Sequence, residues 1–395
     1  MVGRLWSTYA DADVLPSAVD VGFDGSLFLA DALDWRVLRQ DGASRQVTCV
    51  AGCRRERGFS GDGGPASAAA LREVWGLALD EPRSRLLIAD SGSNRIRAVE
   101  LGSGMINTLA GSGARGSGGD GGPASAASFN DPRGVTAAAD GALFVSEYLG
   151  HAVRRISPAG TVSTLAGTRA RGFQLSAAPA TSVALSGPFQ MRLATSGALA
   201  GHLLIADADN FAVRAVNLAS GVMTTLAGSG SFAFTPDGGR AAGGGLTRVL
   251  GLAVDADSVI YISDSGYGSD GNGGNNCVRA VRPDGTLATV AGICNSPEAH
   301  TLVDGVLATS TMMDQPYALA IAPGSRRLYI ADHGHAAVRV VTLAALVPSS
   351  STPRAWATSR PPTLTRSLAA TRTATRTATR TRTVTSSRSR TRKGK

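Results

Sequence analysis

Cysteine is scarce in this chain: Cys49, Cys53, Cys277 and Cys294 are the only four in 395 residues. That excludes a scaffold built on disulfides. Long apolar runs are missing too, since no stretch reaches the roughly 18–20 residues that a membrane helix needs. The opening MVGRLWSTYADADV has one early Arg but no continuous apolar core, so it makes a poor signal peptide. On this reading the protein is intracellular, or its true N-terminus lies upstream. No G-x-S-x-G elbow, H-E-x-x-H or P-loop occurs, which removes the commonest hydrolase and nucleotide signatures. Aromatics are only 5% while glycines number 49. That balance suits short strands joined by tight turns better than long helices.

Negative charge is absent from one end. Pro353–Lys395 holds ten Arg, two Lys and no Asp or Glu, whereas the preceding 352 residues carry 27 Arg against 30 acids. The formal charge of +9 is therefore a property of the tail, and nucleic-acid binding could rest only there.

What is present is repetition. GDGGPASAA stands at Gly61–Ala69 and again at Gly119–Ala127. Around the first copy run WGLALD (75–80), RLLIAD (85–90), RIRAVEL (95–101) and MINTLAG (105–111). The same order returns five more times, with varying fidelity. One acidic position marks the unit: Asp31, Asp90, Glu147, Asp207, Asp264 and Asp332, spaced 59, 57, 60, 57 and 68 apart. Each unit holds four runs of about five to seven residues rich in Val, Ile and Leu and bounded by Gly, Asp, Asn or Pro, which is strand patterning. Four antiparallel strands repeated six times predict an all-β, six-bladed β-propeller. The last unit lacks an outer strand. Leu5–Ala10 (LWSTYA) aligns with INTLAG and is expected to supply it, so that an N-terminal strand completes the last blade and closes the ring.

These units resemble the NHL-repeat family of β-propellers, in particular the bacterial and teneurin-type repeats with GDGGPA loops. The likeness lies in GDGGPASAAAL…WGLALD…RLLIADSGSNRIRAV…INTLAG and in the unit that follows it, and extends more weakly over about 1–345. It implies a fold and leaves function open, because such propellers include protein binders, RNA binders, lactonase-like hydrolases and a lyase. The fourth, fifth and sixth units depart from the GDGGPA loop. The loop is expected to be structural, carrying the chain from the outer strand of one blade to the inner strand of the next, with glycines at positive φ and Pro65 and Pro123 stiffening the path.

The six acids are expected to fix turns rather than to gather a cation, since a ring of that width holds them apart. Arg97, Arg154, Arg214, Arg279 and Arg339 are expected to pair with the acid of their own blade; an anion-binding ring is the alternative. His333 and His335 flank Gly334 in a turn, and His151 matches His335 in the repeat, so no metal site is expected. The insertion Asp264–Cys277 resembles a calcium loop in composition but fails the EF-hand spacing. Its Asp270, Asn272, Asn275 and Asn276 are the candidate partner-binding rim loop. Cys277 and Cys294 fall at neighbouring strand ends, where a disulfide fits. If it forms and the N-terminus is incomplete, the protein is extracellular; otherwise it is cytoplasmic.

The division is a propeller over 1–347 and a disordered Thr/Arg/Ser-rich tail over 348–395. The functional expectation is a monomeric, non-catalytic scaffold, without cofactor, that binds a protein or glycan through rim loops, with the tail a candidate for anionic polymers. The alternative is a lactonase- or lyase-like enzyme with calcium or zinc in the central channel.

Overall fold

The computed structural model describes residues 14–266, 274–296, 306–322 and 324–343, and the main chain of 2–4. The fold is a six-bladed β-propeller of antiparallel, four-stranded blades. The inner strands, in ring order, are Pro16–Val21, Val74–Asp80, Pro132–Ala137, Pro188–Ala194, Arg248–Val254 and Pro316–Ile321. Each packs against the next, and the sixth against the first. Blades 1 to 6 take their numbers from this order.

Burial follows from the stacking. A middle strand is covered by blades on both faces, so Leu27–Asp31 and Cys277–Val281 are buried at every residue. An outer strand meets water along its edge, and Met105–Ala110 mixes buried with exposed residues. Blade 6 is closed by Val2–Arg4, antiparallel to Ala337–Thr342 with Val2 opposite Val341 and Arg4 opposite Arg339. The ring therefore closes through the N-terminus, but three residues earlier than the expected register. The equivalent of Arg4 in blade 2 is Thr108, opposite Arg97. A half-exposed outer strand accepts polar residues on either parity, so its apolar pattern fixes register poorly. Leu5–Ala10 lies outside the described residues.

The duplicated motif has a clear path. Gly64–Pro65 adds a short fifth strand to the outer edge of blade 2, pairing with Ile106 and Met105. Ala178–Pro179 does the same on blade 4, and single bridges at Pro123 and Arg240 do so on blades 3 and 5. The loop thus lies along the outer edge of the following blade before returning to that blade's inner strand. Gly61 has φ of +90°, and a Cβ there would stand 2.8 Å from Ala69 Cα. The motif's aspartate reaches a buried arginine. Asp62 Oδ1 accepts a hydrogen bond from Arg97 Nη2 at 2.6 Å, and Asp120 Oδ1 from Arg154 Nη2 at 2.6 Å. Asp237, kept in the variant loop TPDGG, accepts from Arg279 at 3.2 Å. In blades 4 and 6 a carbonyl takes its place, Gln174 O for Arg214 and Met312 O for Arg339. All five arginines are buried. A buried guanidinium needs acceptors in place of water, and the loop supplies one that the blade alone does not.

Candidate functional site

An inner strand has one sheet neighbour, so its other edge turns main-chain N–H and C=O groups into the central channel. Two residues beyond the one that faces the repeat acid, five blades carry Ala18, Gly76, Gly134, Gly251 and Ala318; blade 4 carries Gln190. Its Oε1 accepts from Leu252 N (2.7 Å) and Leu319 N (3.2 Å), and its Nε2 donates to Leu319 O (3.2 Å). One amide from blade 4 therefore spans to blades 5 and 6 and plugs the channel. Arg192, two residues on and on the same strand face, donates to Leu319 O at 2.8 Å and lies 3.5 Å from Asp20 Oδ1. Asp20 Oδ2 in turn accepts from Leu79 N at 2.8 Å. The plug leaves two separate mouths.

The mouth beside the repeat acids is aromatic and cationic. One residue past the acid-facing position the blades present Ser17, Trp75, Arg133, Phe189, Leu250 and Tyr317. Trp75 stacks on Tyr317, with centroids 5.7 Å apart and planes at 30°. Phe189 meets Trp75 edge-on at 6.3 Å, and Tyr148 meets Phe189 edge-on at 6.3 Å. The Arg133 guanidinium lies 3.8 Å from the Tyr148 ring centre and 5.3 Å from that of Trp75, anchored by Asp131 at 2.9 Å. Phe189 and Tyr317 are buried, while Trp75, Arg133 and Tyr148 are half-buried. The result is an amphipathic platform of flat apolar faces edged by donors.

The Tyr148 hydroxyl donates to Asp209 at 3.0 Å and accepts from Arg248, which itself pairs with Asp209 at 3.1 Å. Burial pushes the Tyr148 hydroxyl up to about 12, so it stays protonated at neutral pH and is no general base there. His333 is held neutral by burial; its Nδ1–H donates to Pro16 O at 3.0 Å, with the ring 4.3 Å from Tyr317.

The opposite mouth opens into a cavity of about 230 Å³. Val21, Leu79, Ala137, Leu193, Val254 and Ile321, one per blade, form an apolar collar. Asp20, Arg192, Thr136 and Glu81 add polarity.

The repeat acids do not converge. Each is fully buried and accepts the N–H of a residue just ahead of its own inner strand: Leu15, Arg72, Asn130, Ser186, Thr247 and Asp314 for Asp31, Asp90, Glu147, Asp207, Asp264 and Asp332, at 2.6–3.1 Å. The acid clamps the start of the inner strand. Pairing with arginine varies: Arg214 lies 2.9 Å from Asp207, Arg154 3.4 Å from Glu147, Arg339 3.4 Å from Asp332 and Arg97 4.0 Å from Asp90. Blade 5 departs from the expected pair, since Thr247 and Asn275 take up Asp264 while Arg279 turns to Asp237. His335 donates to Asp332 at 3.0 Å, and this bond holds the imidazole pKa above its ordinary value.

Of the expected rim-loop residues, Asn275 and Asn276 are described, and both are engaged within the fold. Asn275 is buried, and its amide donates to Asp264 Oδ2 at 2.6 Å. Asn276 Oδ1 accepts from Gly266 N and Gln315 N. Both brace the blade inward because a long insertion after a buried acid needs side-chain acceptors and donors to end it. Asp270 and Asn272 lie outside the described residues. Cys277 and Cys294 form a disulfide, and Cys49 and Cys53 form a second. Among the described residues no three His, Cys, Asp or Glu side chains come together as a group that could hold a metal ion.

Sequence reading missed Gln190, Arg192, Asp20 and Trp75. For Gln190, Arg192 and Asp20 the signal was contrast, since at the aligned channel positions the remaining blades carry Gly, Ala or Thr.

No family model matches the chain. Solved structures share the fold. An auxiliary nutrient binding protein from Bacteroides thetaiotaomicron is 14% identical, with a TM-score of 0.59 over 86% of this chain and 75% of that one. A structural-genomics protein of unknown function from the same organism is 17% identical, with a TM-score of 0.57 over 86% and 74%. A gluconolactonase from Xanthomonas campestris is 15% identical, with a TM-score of 0.53 over 87% and 89%. At these identities the likeness is one of fold.

Proposed function

We propose that this chain is a non-catalytic binding propeller that holds a carbohydrate on the acid-side mouth. The observation that carries the reading is the half-buried Trp75, stacked on Tyr317 with Arg133 beside it. A pyranose ring offers an apolar C–H face for the indole and hydroxyls for Arg133 and its neighbours, which matches such a platform. The six-bladed neighbours that carry a nutrient-binding name support a binding role. Among the described residues of the mouth, Tyr148 is protonated and His333 is committed to a carbonyl. This reading puts the partner on the channel mouth rather than on the rim loop.

The two disulfides favour an oxidising compartment; alkylation that finds no thiol until the purified protein is reduced supports this, and four free thiols would oppose it. Calorimetric titration with a panel of neutral oligosaccharides tests the function. Binding by one class, weakened about 30-fold in Trp75→Ala, supports it, and failure of every member to bind contradicts it.

A further inference from the structure

The cavity at the opposite mouth is chemically unlike the aromatic platform and is separated from it by Gln190. Arg192 is its informative residue. The side chain is 14% exposed, yet its guanidinium has one full hydrogen bond, Nη2 to Leu319 O, and one long contact to Asp20. Nε and Nη1 bond no described residue. A cation with most of its hydration removed keeps donors in hand for an anion.

The acidic side is similarly incomplete. Asp20 Oδ1 has only the 3.5 Å contact. Glu81 Oε1 accepts from Phe23 N at 3.0 Å, leaving Oε2 without a described partner. Two carboxylates against one guanidinium would repel a simple carboxylate, and the guanidinium would repel a simple amine. A ligand carrying both charges meets both needs. The collar adds an apolar contact, and 230 Å³ lies below the roughly 300–1,000 Å³ of drug-sized pockets, so the occupant is small.

We propose that this cavity binds a free α-amino acid with an apolar side chain. Its carboxylate would lie on Arg192, its ammonium on Asp20 and Glu81, and its side chain against the collar. The site does not depend on the carbohydrate platform.

The test is calorimetry of the full chain with leucine, methionine and phenylalanine, alongside 4-methylpentanoate and 3-methylbutylamine, which each lack one charge of leucine. Saturable binding of at least one amino acid is expected, with the single-charge analogues weaker by about tenfold or more. Arg192→Met should abolish binding, and Asp20→Asn should weaken it about tenfold. Ala137→Leu fills the cavity without touching either charge and should also abolish binding, which keeps the test open if Arg192→Met does not fold. Trp75→Ala should leave it unchanged, so failure here and failure of the carbohydrate reading are distinguishable. The proposal is overturned if none of the three amino acids binds, if an analogue lacking one charge binds as tightly as leucine, or if binding survives Ala137→Leu.

Discussion

Asp20 and Arg192 occupy equivalent positions on the inner strands of blades 1 and 4, opposite each other in the ring, and meet across the channel at 3.5 Å. Elsewhere that position holds Ala78, Thr136, Ala253 or Ala320. Side chains from two opposite blades, with Gln190 beside them, close an opening that six-fold repetition would otherwise leave.

The plug should be felt in stability. Gln190→Ala removes three hydrogen bonds to Leu252 and Leu319. Water can enter from either mouth and recover part of the loss, so the expected cost is about 1–3 kcal/mol. Denaturant unfolding checks this: a lower midpoint at unchanged slope is expected, and an unchanged midpoint would show that the amide does not brace the ring.

The motif aspartate should be coupled to its arginine. Asp62 is 38% exposed, so solvent screens the pair, but Arg97 is fully buried and would lose its 2.6 Å partner. Asp62→Ala should cost about 1–3 kcal/mol. Arg97→Met alone should also destabilise, and the double variant should lose less than the sum of the two singles. Strict additivity would contradict the assigned role of GDGG.

Stability should peak in mildly acidic solution. Burial pushes Asp90 up from 3.8 to about 7, and Glu147 up from 4.5 to about 7. A raised folded pKa means the protonated acid is favoured in the fold. That contribution is complete below the unfolded values and disappears as pH rises through 7. Asp120 runs the other way: burial raises its pKa, but hydrogen bonds from Thr164 and Arg154 outweigh that and leave it below 3.8. Its contribution is present above 3.8 and fades as pH falls. Melting temperature measured from pH 3 to 9 should therefore pass through a maximum near ~5 and fall toward 8, with Glu147→Gln flattening the upper limb. A melting temperature that rises steadily from pH 5 to 8 would contradict this.

The blades were legible because their strands are repeated runs of Val, Ile and Leu, and a fixed acid marks each copy. The buried arginines were legible by the same regularity. Repetition also hid the channel. Comparing units for what they share passes over Gln190, Arg192 and Trp75, which matter because they differ from their counterparts. Composition misled at Asn275 and Asn276, where an Asn-rich insertion looks solvent-facing but its last residues turn back to Asp264 and Gln315. Closure by the N-terminus was readable from the missing outer strand, whereas its register was not, because a half-exposed strand tolerates several alignments.

The central claim is that a sugar rests on Trp75, and fluorine NMR of the protein labelled with 5-fluorotryptophan tests it most directly. The chain has four tryptophans, and loss of one signal in Trp75→Phe assigns the resonance. On titration with a binding oligosaccharide, the Trp75 resonance should shift in proportion to saturation while the other three hold still. A saturable ligand that leaves the Trp75 signal unmoved would contradict the account.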